Sequence, residues 1–152
     1  MNLSTPRRRW LQAAGAWAVL VTCVPARADS DVPFIPALDR YLGDRTPRRE
    51  RVRMELPRIA DNGFAVPLRL TVSGPFAPGP YVRTIRLFSE MNPVPEMATF
   101  EFPQPLERVE LDTRIRLAGT QQIVTVAEMT DGKLYLAAAE VIVTLAGCMD
   151  GT

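Results

Sequence analysis

Among the side chains able to form a covalent bond or move a proton, Cys148 stands apart. It follows the small pair Ala146-Gly147 and precedes Met149, Asp150 and Gly151 near the C-terminus. The alternating run Val141-Ile142-Val143-Thr144-Leu145 stops just before it, so the thiol is expected on a flexible arm, residues 146–152, beyond the last strand. From Leu145 to Cys148 the extended chain reaches about 10 Å, enough to dip a thiol into a pocket. Ala146 and Gly147 keep such an arm narrow, and glycine lets the backbone bend where larger side chains would be excluded. A free thiol titrates near about 8.5, and a reactive one needs a cation, a histidine or a helix N-terminus beside it. Asp150 pushes the other way. Cys148 is therefore a poor nucleophile on its own and suits a passive handle that other proteins load and unload.

The rest of the chain offers little competing chemistry. The sequence has no histidine, which removes Ser-His and Cys-His pairs, imidazole acid-base catalysis and the commonest transition-metal ligand. Its only other cysteine is Cys23, so no CxxC pair or cysteine metal cluster exists. No glycine-rich phosphate loop occurs; Gly74 and Gly79 sit among prolines in a rigid connector. Glu107, Glu110 and Asp112 lie close in sequence, and Glu90 and Glu96 flank an Asn-Pro segment. Paired carboxylates hydrolyse glycosides only where a cleft sets their separation and raises one pKa, and solvated strand faces account for these acids. The expectation is a non-catalytic protein without metal or cofactor, apart from whatever Cys148 holds.

The N-terminus reads as an export leader rather than structure. Arg7-Arg8-Arg9-Trp10-Leu11-Gln12 resembles a twin-arginine signal, and the apolar run Ala13 to Val24 is shorter than the roughly 20 residues that span a bilayer. Ala26-Arg27-Ala28 supplies cleavage-site spacing, so residues 1–28 are expected to leave and Asp29 to begin the mature protein. The leader carries four arginines and no acids, so removing it from a chain with 18 basic and 17 acidic residues leaves 14 against 17. This mild negative charge gives no electrostatic case for nucleic acid or, after cleavage, for a membrane. Cys23 departs with the leader. Cys148 is then the sole thiol in a compartment that oxidises paired ones, and an internal disulfide is impossible. On these residues alone it is a free thiol, half of an intermolecular disulfide, or a core filler, the last a poor fit between Gly147 and Gly151.

The elements that must position this thiol are mostly strands. Residues 29–50 read as a short helix and connector: Phe34, Ile35, Leu38 and Leu42 recur at near-helical spacing, Gly43 suits the stop, and Thr46 to Arg51 is a polar, arginine-rich link expected in solvent. From residue 51 to 145 the period is two. Val52, Met54 and Leu56 alternate with charges, the turn Asp61-Asn62-Gly63 follows, and Val66, Leu68, Leu70 and Val72 alternate again. The loop Gly74 to Pro80 cannot pair in a sheet interior. Tyr81 to Phe88 and Met97 to Phe102 are further strands, and Asn92-Pro93-Val94-Pro95 separates them. Arg108 to Leu117, Gln121 to Met129 and Leu134 to Leu145 read as an uninterrupted antiparallel meander, with Asp131-Gly132 as its second hairpin. The sum is an all-β protein: an antiparallel, immunoglobulin-like β-sandwich of about seven strands behind a short N-terminal helix.

The chain resembles the SoxY family of sulfur-compound carriers from the bacterial thiosulfate-oxidising Sox system. The resemblance lies in Leu56-Pro57-Arg58-Ile59-Ala60-Asp61-Asn62-Gly63, in Leu87 to Pro95 followed by Ala98-Thr99-Phe100, in Arg114 to Gln121, in Val126-Ala127-Glu128-Met129, and in Val141 to Cys148. It implies a periplasmic β-sandwich in a heterodimer with a SoxZ-like subunit. It further implies that Cys148 carries sulfur intermediates covalently between the Sox enzymes: a cytochrome that attaches thiosulfate, a hydrolase that releases sulfate, and a sulfur dehydrogenase. The family's usual ending is Gly-Gly-Cys-Gly-Gly, where this chain has Ala146-Gly147-Cys148-Met149-Asp150. Met149 adds bulk after the thiol, and Asp150 adds charge that repels anionic thiosulfate or fits a different partner pocket. A carrier serving another sulfur pathway is the related alternative.

Overall fold

A computed structural model of the chain describes residues 32–74 and 78–147. The leader expected at 1–28 and the residues from Cys148 onward lie outside the described residues, as do positions 75–77 of the proline-rich loop. Among the described residues are helix α1 (Pro36–Leu42) and eight strands: β1 (Val52–Glu55), β2 (Ile59–Ala60), β3 (Val66–Val72), β4 (Val82–Ser89), β5 (Glu96–Glu101), β6 (Val109–Ile115), β7 (Gln121–Met129) and β8 (Leu134–Val143). They form two sheets, one ordered β1-β3-β6 and the other β2-β8-β7-β4-β5. The immunoglobulin-like, mostly β architecture expected from the periodicity is the one observed.

Period-two alternation decides the faces. In β3, Val66, Leu68, Leu70 and Val72 are buried while Pro67 and Arg69 are exposed, because alternate side chains of a strand point to opposite sides. They meet Ile85, Leu87, Ile123 and Val141 of the larger sheet in the inter-sheet core. A second core lies on the other face of that larger sheet, where Ile35 and Leu38 of the helical segment cover Phe88, Val124, Val126, Leu134 and Leu136. Strand β7 is therefore buried on both faces and reads as a near-continuous apolar run.

α1 starts at Pro36, whose fixed φ and missing N–H suit the first helical turn. It ends at Gly43, whose φ of 54° is in the left-handed region and whose N–H donates to Asp39 O at 2.9 Å. Phe34, counted in the helical stripe from its spacing, lies before the helix and is 80 % exposed; the extended backbone at Ile35 turns the apolar phase by one residue.

Among the described residues one strand joins the seven expected: Ile59-Ala60 pairs in parallel with Ile142-Val143, a strand too short to show any alternation. Two further expectations need correction. The last third is not a meander. β6 pairs with β3 in the smaller sheet, whereas β7 lies between β4 and β8 in the larger one, so Ala118-Gly119-Thr120 crosses between sheets. Gly119 has no positive φ, as a tight hairpin turn would require, while Gly132 has φ of 81° and does turn the β7–β8 hairpin. Finally, the arginine-rich connector is stitched to the sheet: Arg48 N donates to Leu134 O at 2.9 Å, and Leu136 N to Arg48 O at 2.8 Å. This satisfies the β8 edge groups that β2 is too short to reach.

Candidate functional site

Of the residues expected to make the arm, Ala146 and Gly147 are described; Cys148, Met149, Asp150 and Gly151 lie outside the described residues. The two that are seen are not free. Gly63 N donates to Leu145 O at 2.7 Å, Gly147 N donates to Leu117 O at 2.8 Å, and Leu117 N donates to Gly63 O at 2.8 Å. Three segments far apart in sequence are thus tied through their backbones: the turn after β2, the chain just past β6, and the chain just past β8. The Thr144 hydroxyl adds a bond to Asp61 O between the first and the last. Gly147 is buried, and Ala146 is half-buried. The docked chain therefore runs through Gly147, and the expectation that the arm is already free at Ala146 is corrected.

The same contact explains why glycine stands at two of these places. A Cβ on Gly63 would lie 2.2 Å from Leu117 O and 2.7 Å from Gly147 N. One on Gly147 would lie 2.2 Å from Gly63 C and O and 2.7 Å from Phe64 N. No side chain fits, and the obstacles are backbone atoms that cannot rotate away. Gly147 serves close packing here rather than bending within a channel.

Side-chain amides brace this root. Asn92 Nδ2 donates to Arg116 O at 2.8 Å, and Asn92 Oδ1 accepts from Ala118 N at 2.9 Å and from Gln121 Nε2 at 2.9 Å. Gln121, almost fully buried at the start of β7, accepts from Met91 N at 3.0 Å through Oε1. The loop after β4 is thereby fastened to the crossing from β6 to β7, whose Leu117 holds Gly147. Thr120 Oγ1 accepts from Val143 N at 2.9 Å, which fixes the end of β8 to the same crossing. Exposed apolar residues gather around the root: Phe64, Leu145, and the in-register pair Ile59 and Ile142 on the β2–β8 edge.

The carboxylates singled out from the sequence do not assemble into a catalytic pair. Asp112 accepts from Arg69 at 2.6 Å, Glu110 faces Arg108 at 2.6 Å, and Glu96 faces Arg86 at 2.7 Å. Glu90 accepts from Gln122 N at 3.1 Å, and Glu107 is exposed. Among the described residues no cluster of three metal-ligating side chains occurs, and no helix is long and apolar enough to cross a membrane.

The family model for the sulfur oxidation protein SoxY matches residues 38–148, from α1 through the docked root to Cys148. The chain belongs to the SoxY family. Among solved structures it is similar to the sulfur carrier protein SoxY from Chlorobium limicola f thiosulfatophilum, with 30 % identity and a TM-score of 0.55 over 72 % of this chain and 94 % of that one. A likeness of fold alone extends to a putative superoxide reductase from Thermotoga maritima, at 19 % identity and a TM-score of 0.50 over 62 % of this chain and 87 % of that one. A search of curated proteins gave no match.

In the SoxY-like stretches quoted from the sequence, Gly63, Asn92, Arg116, Leu117, Gln121 and Gly147 are the residues that meet at the root. Reading the sequence had found the stretches without finding that they converge. Asp61-Asn62-Gly63 reads as a turn and Asn92 as part of a strand-breaking segment; nothing in either signal distinguishes a turn in solvent from one folded onto a neighbouring backbone.

Proposed function

We propose that this protein is a periplasmic, non-catalytic carrier that holds sulfur intermediates covalently on Cys148 and presents them to the enzymes of thiosulfate oxidation. The observation that carries the reading is the docked root. Gly147 is held by backbone contacts at one end of the sandwich, and the next residue in the chain is Cys148, the last position matched by the family model. A thiol whose point of departure is fixed, and which has no histidine anywhere in the chain to activate it, is suited to receive chemistry from visiting sites. The 30 % identity to a SoxY sulfur carrier supports the cargo. The leader at 1–28, presentation of the thiol on the C-terminal arm, and a SoxZ-like partner belong to the same proposal. The exposed residues Ile59, Phe64, Ile142 and Leu145 favour a partner that covers apolar surface close to the root.

The test is the intact mass of the protein recovered from the periplasm of cells given thiosulfate. Added masses of sulfur or sulfonate type on Cys148, and loss of thiosulfate oxidation in Cys148→Ser, are expected. Bare thiol or disulfides with cell thiols only, together with activity that survives Cys148→Ser, overturn the carrier reading. A constitutive dimer band on non-reducing gels that alone accounts for function supports an intermolecular crosslink instead.

A further inference from the structure

Strand β6 is a long open edge of the sandwich. It ends the order β1-β3-β6, and among the described residues no strand pairs with its outer side. The other edges are blunted: β1 has 4 residues, β2 has 2, and β5 lies between Pro95 and Pro103 and slips register against β4 at Leu87 and Phe88. Edge strands ordinarily carry a bulge, a proline or an inward charge that stops another strand from adding. β6 has none of these: its 7 residues keep unbroken register with β3, and Val109, Leu111, Thr113 and Ile115 point inward. Pro67, opposite Arg114, has no N–H to give, and Leu117 N donates to Gly63 O on the β3 side. Antiparallel bonding alternates along a strand, so the N–H and C=O of Glu110, Asp112 and Arg114 face outward. Asn92 takes Arg116 O and Ala118 N and closes that end of the edge.

The side chains along this edge form a charge pattern that is its own complement. Glu110-Leu111-Asp112 is acidic, apolar, acidic, and beyond Thr113 the run Arg114-Ile115-Arg116 is basic, apolar, basic. Laid antiparallel on itself about a two-fold axis at Thr113, the strand sets Asp112 opposite Arg114, Leu111 opposite Ile115 and Glu110 opposite Arg116. Moving the axis by one residue sets Asp112 on Asp112 or Arg114 on Arg114, and like charges directly opposite repel. The exposed face of the smaller sheet already alternates in one row: Glu55 is opposite Arg69, and Arg69 donates to Asp112 at 2.6 Å. Arg114 of a second copy continues that alternation. Among the described residues no ion pair holds Arg114 or Arg116.

The cover over the larger sheet also stops here. Three strands face five, and Met97 and Phe100 on β5 are only partly buried. Between β5 and β6 lies a cleft of about 420 Å³ lined by Leu87, Met97, Phe100 and Ile115. A strand added outside β6 runs along its mouth and takes these apolar side chains out of water.

We propose that a second copy of this chain adds its β6 to this edge, antiparallel about a two-fold axis at Thr113, so that the two smaller sheets become one. Asp112 and Arg114 of the two copies exchange backbone hydrogen bonds across the axis, and their side chains pair on the exposed face. The interface is isologous, the same patch meeting itself. Leu117, which holds the root, lies four residues beyond Thr113 in each copy, so the two roots stand at opposite ends of the joined strands, roughly 27 Å apart at about 3.3 Å per residue. The β2–β8 edge, at the other border of the larger sheet, stays uncovered. The dimer does not depend on what Cys148 carries.

The test uses the full-length chain kept reduced, so that no disulfide links two copies, and follows the monomer–dimer equilibrium by sedimentation from micromolar to submillimolar protein. The parent is expected to dimerise. Arg114→Asp sets acid against acid, and Asp112→Arg sets base against base, so each alone should weaken the dimer by about 10- to 100-fold. An equal mixture of the two variants should recover it, because both positions of one copy are then basic and both of the other acidic. Arg114→Lys keeps the charge and should dimerise like the parent. Arg114 holds no ion pair within the chain, so Arg114→Asp should keep the parent's denaturation midpoint, which separates a lost interface from a lost fold. A parent that stays monomeric throughout, a dimer indifferent to Arg114→Asp, or a mixture of the folded variants that does not recover overturns the proposal.

Discussion

The two ends of β7 are held in different ways. At its start, Gln121 belongs to a root in which Gly63, Leu117 and Gly147 meet through backbone atoms with no side chain between them. At its other end, Glu128 sits in a side-chain cluster: Tyr41 Oη donates to it at 2.6 Å, and Arg45 and Arg83 approach it at 3.6 and 3.7 Å. Arg86 lies over the Tyr41 ring at 4.5 Å, and the ring packs on Phe88 with centroids 5.9 Å apart. The first arrangement fixes position with little tolerance. The second has long side chains that can rearrange, and it fastens α1 to the sheet. The end from which the chain leaves toward Cys148 is the one whose central contact is main chain against main chain.

Inserting a methyl group at the root is the largest perturbation available there. Gly63→Ala forces Cβ against Leu117 O and the backbone of Gly147, and neither can rotate away. A destabilisation of about 1–3 kcal/mol is expected, toward the upper end because the obstacle is main chain. Gly147→Ala attacks the same contact from the other side, so the double variant should cost less than the sum of the two single ones. Chemical denaturation of the three variants measures this. Full additivity, or a cost under about 0.5 kcal/mol for either single variant, contradicts a root set by this contact.

This root also marks where sequence reading stopped. Strand β3 was legible because Val66, Leu68, Leu70 and Val72 alternate with exposed partners, and β7 because Ala118-Gly119-Thr120 and Thr130-Asp131-Gly132-Lys133 bracket it. The Asp131-Gly132 hairpin was legible because a positive φ at glycine leaves a local signature. The partner of β6 was not, since strand pairing is a long-range choice and the short connection Ala118-Gly119-Thr120 serves a sheet crossing as well as a hairpin. Cys148 could be singled out by chemistry alone. What surrounds its departure point could not, because a contact between two glycine backbones leaves no apolar or charged pattern, and Gly147 carries the same letter whether it bends freely or packs.

Removing the amide brace is expected to have a smaller effect. Asn92→Ala leaves Ala118 N and Arg116 O without their partner and takes one acceptor from Gln121, whose side chain is almost fully buried. Water reaches the Arg116 side of this group, so the loss should be about 2 kcal/mol rather than the sum of three full penalties. Asn92→Asp keeps the acceptor for Ala118 N and Gln121 but loses the donor to Arg116 O, and should retain about half of the stability. Hydrogen exchange at the Ala118 amide gives the local readout. Protection unchanged in Asn92→Ala would place the bracing of the crossing elsewhere.

The mildest change tests the opposite end, where side chains do the fastening. Burial, followed by the hydrogen bond to Glu128 and the charge of that carboxylate, raises the Tyr41 phenol above its ordinary value of 10.0. A group whose folded pKa lies above its unfolded one binds more protons in the native state, so its contribution is complete below about pH 10 and is lost as pH rises toward the folded value. Tyr41→Phe removes the hydrogen bond while keeping the ring on Phe88, at a cost of about 1 kcal/mol near neutral pH. The difference from the parent should shrink above pH 10, because the parent alone loses this contribution there. Denaturation at pH 7 and at alkaline pH decides the point, and a gap that widens above pH 10 contradicts it. The root has no titrating side chain among Gly63, Leu117 and Gly147, so the penalty of Gly63→Ala should stay constant over the same range. One end of β7 would then respond to pH while the other does not, which is what a fixed point of departure for a carried group requires.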